Sequence, residues 1–282
     1  MGRYGFIMPV LVVPLLFVFL LPASAQSEPA PSVGKRPVIL FWTDKPGSVP
    51  HATYLTPDIT LSPDASSDLL SQGSLLAAGV TPLKWCPGQS LEHQSDSQIL
   101  ETWSKIVREG YVGLGIDELG SWNHARNVRF AALLERFHEE HPQVYIAVWS
   151  AGIIDPALAR AYRSSVNLVM IEAYGPWGLH QWERFVVRRV EARLFGIAHK
   201  CIFGIGINDA APPDVLKSSG PWSNNSRDLQ AQIRWIARNA SDMAGVGFFA
   251  PDASDRMLRI ADGLAHRYFP APAAAMATGP RR

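Results

Sequence analysis

The chain has 282 residues, with 26 Lys and Arg against 25 Asp and Glu and a formal net charge of +1 at pH 7. No basic stripe and no interleaving of aromatic with basic residues occurs, which excludes nucleic acid as a partner and gives an anionic polymer no long-range steering. The part that can fold, residues 38–269, is long for a sandwich and short for two domains, and approaches the ~250 residues of an α/β barrel.

The first residues read as an export signal. Arg3 supplies a short positive region, Phe6 to Leu21 is an uncharged apolar run, and Pro22-Ala23-Ser24-Ala25 places small residues where a signal peptidase reads them. The competing reading is a membrane anchor, but the run falls slightly below the roughly 20 residues of a bilayer span and contains Pro14. Cleavage after Ala25 is therefore expected, giving a secreted or periplasmic protein. Residues 26–37, with Pro29, Pro31 and Gly34, form a flexible leader, and residues 270–282 a tail of Pro, Ala and Gly that cannot bury a core. The 38–269 stretch is expected to be one domain and a monomer.

Seven apolar runs of strand length follow one another: Val38 to Asp44, Val80 to Cys86, Val112 to Glu118, Val144 to Ser150, Leu168 to Tyr174, Ile202 to Asn208 and Val246 to Ala250. Most begin apolar and end at or near Trp, Tyr, Asp, Glu or Asn. Between them lie segments of helical period. Ser95 or Asp96 caps a helix expected to bury Ile99, Leu100, Trp103, Ile106 and Val107 and to stop at Gly110. Asn123 to Glu140, Asp155-Pro156 to Arg163, Gln181 to Ile197, Asp228 to Ala240 and Asp255 to Tyr268 are further helices, the second of these opened by an N-cap followed by Pro.

Alternating strands and helices predict a parallel sheet with helical crossovers, here a (β/α)8 TIM-type barrel. The eighth strand must come from the weak region Thr53 to Ala78, with Ile59-Thr60-Leu61 as an irregular second strand and Leu69 to Ala77 as its helix. Val112 to Glu118 is then the fourth strand. The alternative is an open doubly wound sheet, though no Gly-x-Gly-x-x-Gly opens a helix after the first strand. Cys86 at one strand's end and Cys201 at another's start would lie at opposite ends of such a barrel, beyond disulfide reach.

Parallel barrels present catalytic groups at the C-terminal ends of their strands. The most informative run is Gly113-Leu114-Gly115-Ile116-Asp117-Glu118, where one parity is emptied of side chains before two carboxylates arrive. Strict alternation gives Asp117 the glycine face, so which of the pair looks inward stays open. In Leu168 to Tyr174, Met170, Glu172 and Tyr174 share a face, and a charge there is costly unless paired or functional. A bland partner for Glu172 would be Lys84. Trp42, Trp85, Trp149, Tyr174, Trp177 and Phe249 sit at or just past strand ends and would form a platform for sugar rings, while Asp44 and Asn208 end the first and seventh strands.

Gly115-Ile116-Asp117 at the fourth strand, Ile146-Ala147-Val148 at the fifth, Val169-Met170 with Tyr174 at the sixth, Gly204-Ile205-Gly206-Ile207 at the seventh and Gly245-Val246-Gly247-Phe248-Phe249 at the eighth resemble chitinase-type glycoside hydrolase barrels. The resemblance implies a carbohydrate substrate or ligand and cleavage by paired carboxylates. Glu118 would be the acid/base, Glu172 the nucleophile or base, and Asp117 a supporting acid. Those chitinases carry Asp-x-Asp-x-Glu after Gly-Ile, whereas Leu119 stands here where an orienting acid would be. The rival reading is a non-catalytic, chitinase-like lectin. No metal or other cofactor is expected: His51, His93, His124 and His180 are read as loop residues, and no paired histidines have metal-ligand spacing. No Gly-x-Ser-x-Gly elbow points to an esterase.

Overall fold

The computed structural model describes residues 38–42, 58–62, 80–120, 123–174, 179–207, 209, 225–250 and 253–270. Their order is β1 (Val38–Trp42), β2 (Ile59–Ser62), β3 (Thr81–Pro87), α1 (Asp96–Arg108), β4 (Gly113–Leu119), α2 (His124–Glu140), β5 (Tyr145–Ser150), α3 (Pro156–Ser165), β6 (Leu168–Glu172), α4 (Leu179–Leu194), β7 (Cys201–Gly206), α5 (Ser226–Asn239), β8 (Gly245–Phe249) and α6 (Asp255–Tyr268). All eight strands are parallel and close into a barrel in chain order, with Val38 beside Gly245 and Trp42 beside Phe249 at the seam. The open sheet is thereby ruled out. The weak region does supply β2, which pairs Leu40 with Ile59 on one side and Ile59 with Thr81 on the other. The helix expected over Leu69 to Ala77 lies outside the described residues.

Most described strand residues are buried on both faces, which is why the strands read as apolar runs. Leu40, Leu83, Ala147, Trp149, Leu168, Met170 and Ile202 fill the barrel interior. The opposite parity, including Ile39, Leu114, Ile116, Val148, Val169, Phe203 and Val246, packs outward against Trp103, Phe137, Leu158, Phe185, Ile233 and Leu258 of the helices. Met170 occupies the space that glycine leaves on β8: a Cβ at Gly247 would lie 2.2 Å from its sulfur.

The helix starts follow the side-chain chemistry of their caps. Ser95 and Gln98 form a capping box on α1, and Asn123, Asp155, Asn225 and Ser254 accept backbone N–H groups at the starts of α2, α3, α5 and α6. Lys200, just before β7, closes the other end of α3 by donating to the carbonyls of Arg163 and Val166, both at 2.7 Å. Two histidines read as loop residues belong to α-helices, and His93 ends a short 3-10 helix, Gln89–His93. His124 opens α2 and pairs with Asp155 at 2.8 Å, and His180 falls within α4. Cys86 and Cys201 are buried free thiols, and burial pushes Cys86 up to about 11.

Candidate active site

The end of β4 breaks strict alternation. Leu114 and Ile116 pack into the outer shell, and so does Leu119, which leaves two residues where alternation allows one. The pairing with β5 slips accordingly between Ile116 and Leu119. The extra residue is accommodated at Glu118, which adopts φ 49° and is the sole non-glycine at positive φ among the described residues. Such a conformation costs on the order of 1–3 kcal/mol for a residue with a Cβ and persists only where the surroundings impose it.

The bulge answers which acid looks inward. Asp117 keeps the glycine face and lines a crevice in the barrel interior with Gly115, Ala147, Trp149 and Met170. Glu118, one residue on, nevertheless comes within electrostatic reach of Glu172 on β6, two strands round the barrel. Both acids of β4 are therefore available at its C-terminal end.

Two residues that the sequence did not single out hold this turn. Arg126 of α2 donates from Nη2 to the Glu118 carbonyl at 3.3 Å and places Nε 2.8 Å from the Glu92 carboxylate, with its guanidinium over the Phe130 ring. Gly88, just past β3, lies so close that an added Cβ would stand 1.8 Å from the Asp117 carbonyl oxygen. The only trace of Gly88 in the sequence is the turn dipeptide Pro87-Gly88 at a strand end. Arg126 has none, because its partners come from other segments.

Glu172 closes β6 on the interior parity of Leu168 and Met170. Burial is the main cause of its raised proton affinity, the charge of Glu118 adds to it, and Arg184 and Arg188 oppose both. The outcome is a carboxyl pushed up to about 7. Glu118 is also raised by burial, against which Arg126 acts. Lys84 is not the cation beside Glu172. It falls on the outer parity of β3 and sits over the Tyr111 ring, 5.6 Å from its centroid. Arg188 instead bridges Glu191 at 2.5 Å and the Ser150 carbonyl at 3.3 Å, and Arg184 donates to the Tyr174 carbonyl at 2.9 Å.

Trp149, Tyr174 and Phe249 form a closed triangle with ring centroids 5.4 to 5.6 Å apart. Trp149 is only 4% exposed and makes the floor, while Tyr174 and Phe249 are partly buried above it. Trp85 packs against the same interior cluster. The Trp42 side chain and Asp44, Trp177 and Asn208 lie outside the described residues. Chemically, two carboxyls of unlike proton affinity in one field can divide the roles of acid and base.

No family model matches the chain, and no curated protein matches it. Its fold is similar to that of solved structures. An endo-beta-N-acetylglucosaminidase from Cordyceps militaris superposes with a TM-score of 0.60 at 12% identity, covering 84% of this chain and 92% of that one. A family 18 glycoside hydrolase chitinase from Pseudoalteromonas aurantia gives 0.60 at 11% identity, covering 81% and 99%. A plant class V chitinase mutant from Cycas revoluta, in complex with (GlcNAc)3, gives 0.57 at 10% identity, covering 80% and 99%. At these identities the likeness is one of architecture. The chain has the (β/α)8 barrel fold of the chitinase-type glycoside hydrolases.

Proposed function

We propose that the protein is an exported glycoside hydrolase that cleaves glycosidic bonds of a neutral carbohydrate with Glu118 and Glu172 as its working carboxylates. The observation that carries this reading is the coupling of these two acids at the C-terminal end of the barrel, where Glu172 is pushed up to about 7. Glycosidic cleavage needs one carboxyl that holds a proton for the leaving oxygen and one that is ionised. The surroundings favour Glu172 as the proton holder and Glu118, beside Arg126, as the ionised partner. That reverses the roles expected of them from the sequence. Asp117 supports the pair from the crevice, and Tyr174 and Phe249 offer ring edges and faces to a sugar.

Glycans containing N-acetylglucosamine are the first substrates to try, since one neighbour of like fold is named for that sugar and another holds (GlcNAc)3. Leu119 in place of an orienting acid argues against help from the substrate's own acetamido group. Neutral glucans and mannans therefore belong in the same panel. Export rests on the apolar run to Leu21 and the small residues before Gln26. N-terminal sequencing of the mature protein should begin at Gln26, and a retained Met1 would speak for an anchor.

The test is reducing-end release from that panel by the wild type, by Glu118→Gln and by Glu172→Gln. Turnover by the wild type and its loss by orders of magnitude in both variants is expected. Binding without turnover in the wild type would favour the lectin reading.

A further inference from the structure

We infer that Gly88 and Arg126 are positioning residues that impose the left-handed turn at Glu118 and so aim its carboxylate at Glu172. The inference rests on the reading of Glu118 and Glu172 as a working pair. Its geometry is independent of that reading. A strand that simply alternated would turn Glu118 to the outer shell with Leu114 and Ile116. Something must hold the backbone against its own preference at φ 49°.

Gly88 presses on the bulge from the turn just past β3. A Cβ there would meet the Asp117 carbonyl oxygen at 1.8 Å, its carbon at 3.0 Å and the Glu118 carbonyl carbon at 3.3 Å. These are backbone atoms, which cannot swing aside as a side chain would. The peptide between Asp117 and Glu118 is thus seated against a position where only hydrogen fits. From the helical side Arg126 holds the next peptide, donating to the Glu118 carbonyl while its other edge faces Glu92 on the turn that follows Gly88. One guanidinium thus spans from the bulge to the segment that seats it. A lysine has a single ammonium and cannot bridge both in that fork geometry.

The experiment uses the full-length mature protein with its glutamate side chains carbon-13 labelled. Carboxyl titrations of Glu118 and Glu172 are followed by NMR in the wild type, Gly88→Ala, Arg126→Met and Arg126→Lys. Resonances are assigned with Glu118→Gln and Glu172→Gln. Gly88→Ala changes no charge, so a fall in the Glu172 midpoint in that variant reports that Glu118 has moved away. In Arg126→Met, loss of a cation alone would leave the Glu172 midpoint level or raise it. The clamp instead predicts that it falls while that of Glu118 rises. Arg126→Lys, which keeps the charge, should still lower the Glu172 midpoint.

Where turnover is found, kcat should drop about tenfold or more in Gly88→Ala and Arg126→Met with KM nearly unchanged, as expected for misaligned chemistry rather than lost binding. Folded variants whose Glu172 midpoint matches the wild type would overturn the clamp. If Gly88→Ala does not fold, the two Arg126 variants decide. An inactive wild type with these titration shifts intact would refute the proposed function and leave the clamp standing.

Discussion

The charge of Glu118 raises the proton affinity of Glu172 across two strands at one end of the barrel. Removing that charge isolates the coupling. Glu118→Gln should lower the Glu172 midpoint from about 7 towards its ordinary value near 4.5, leaving burial as the remaining cause. Carbon-13 titration of the Glu172 carboxyl measures it directly. A midpoint that stays put would mean the two side chains do not share a field.

A proton donor must be protonated to act. With Glu172 in that role, kcat/KM on the best substrate should fall about tenfold per unit above pH 7, while protonation of Glu118 gives a separate acid limb. A pH–rate profile that stays flat to pH 9 would remove Glu172 as the donor.

The same carboxyl links stability to pH. Its folded value lies above the unfolded one, so between about 4.5 and 7 the folded protein holds a proton that the unfolded chain releases. Its contribution is therefore full below 4.5 and lost as pH rises through 7. Glu172→Gln should match the wild type in denaturant melts at pH 4 and exceed it at pH 8. At roughly 1.4 kcal/mol per pKa unit the gain is at most about 3.5 kcal/mol, and less with the partial exposure of this side chain. Equal stability at both pH values would contradict a raised Glu172.

The strain at Glu118 makes a separate prediction. Glu118→Gly removes the Cβ penalty at φ 49°, and Glu118→Gln keeps it while also removing the charge. The glycine variant should therefore melt higher than the glutamine variant. About 1 kcal/mol, or roughly 2–4 °C for a domain of this size, is expected from calorimetry. A lower melting temperature for glycine would mean that the turn is not strained.

Far from the site, Lys200 satisfies the last carbonyls of α3 at the opposite end of the barrel. Lys200→Met leaves those acceptors without their donor and should cost about 1–3 kcal/mol in chemical denaturation. Activity should be unchanged. A stability equal to wild type would show that water replaces the ammonium without loss.

How much of this was legible without coordinates depends on how local the cause is. The parallel barrel was, because burial on both faces writes unbroken apolar runs into each strand and the crossovers write amphipathic period and caps such as Ser95, Asn123 and Asp155 between them. So were the candidate acids, since a strand that ends in Asp117-Glu118 and another that ends in Glu172 place charge where the barrel opens. Alternation alone, however, allowed only one of Asp117 and Glu118 to look inward. A bulge shifts the parity, and its cause lies in Gly88, in the turn after β3, and Arg126, on α2. The cations around Glu172 escape the sequence for the same reason: Lys84 lies on the outer face of β3, three strands away from β6, and Arg184 and Arg188 arrive from α4. Sequence determined which residues could carry charge to the mouth of the barrel. Only the tertiary structure decided where each one points and which proton each one keeps, because aim and proton affinity are set by backbone contacts and fields from segments distant in the chain.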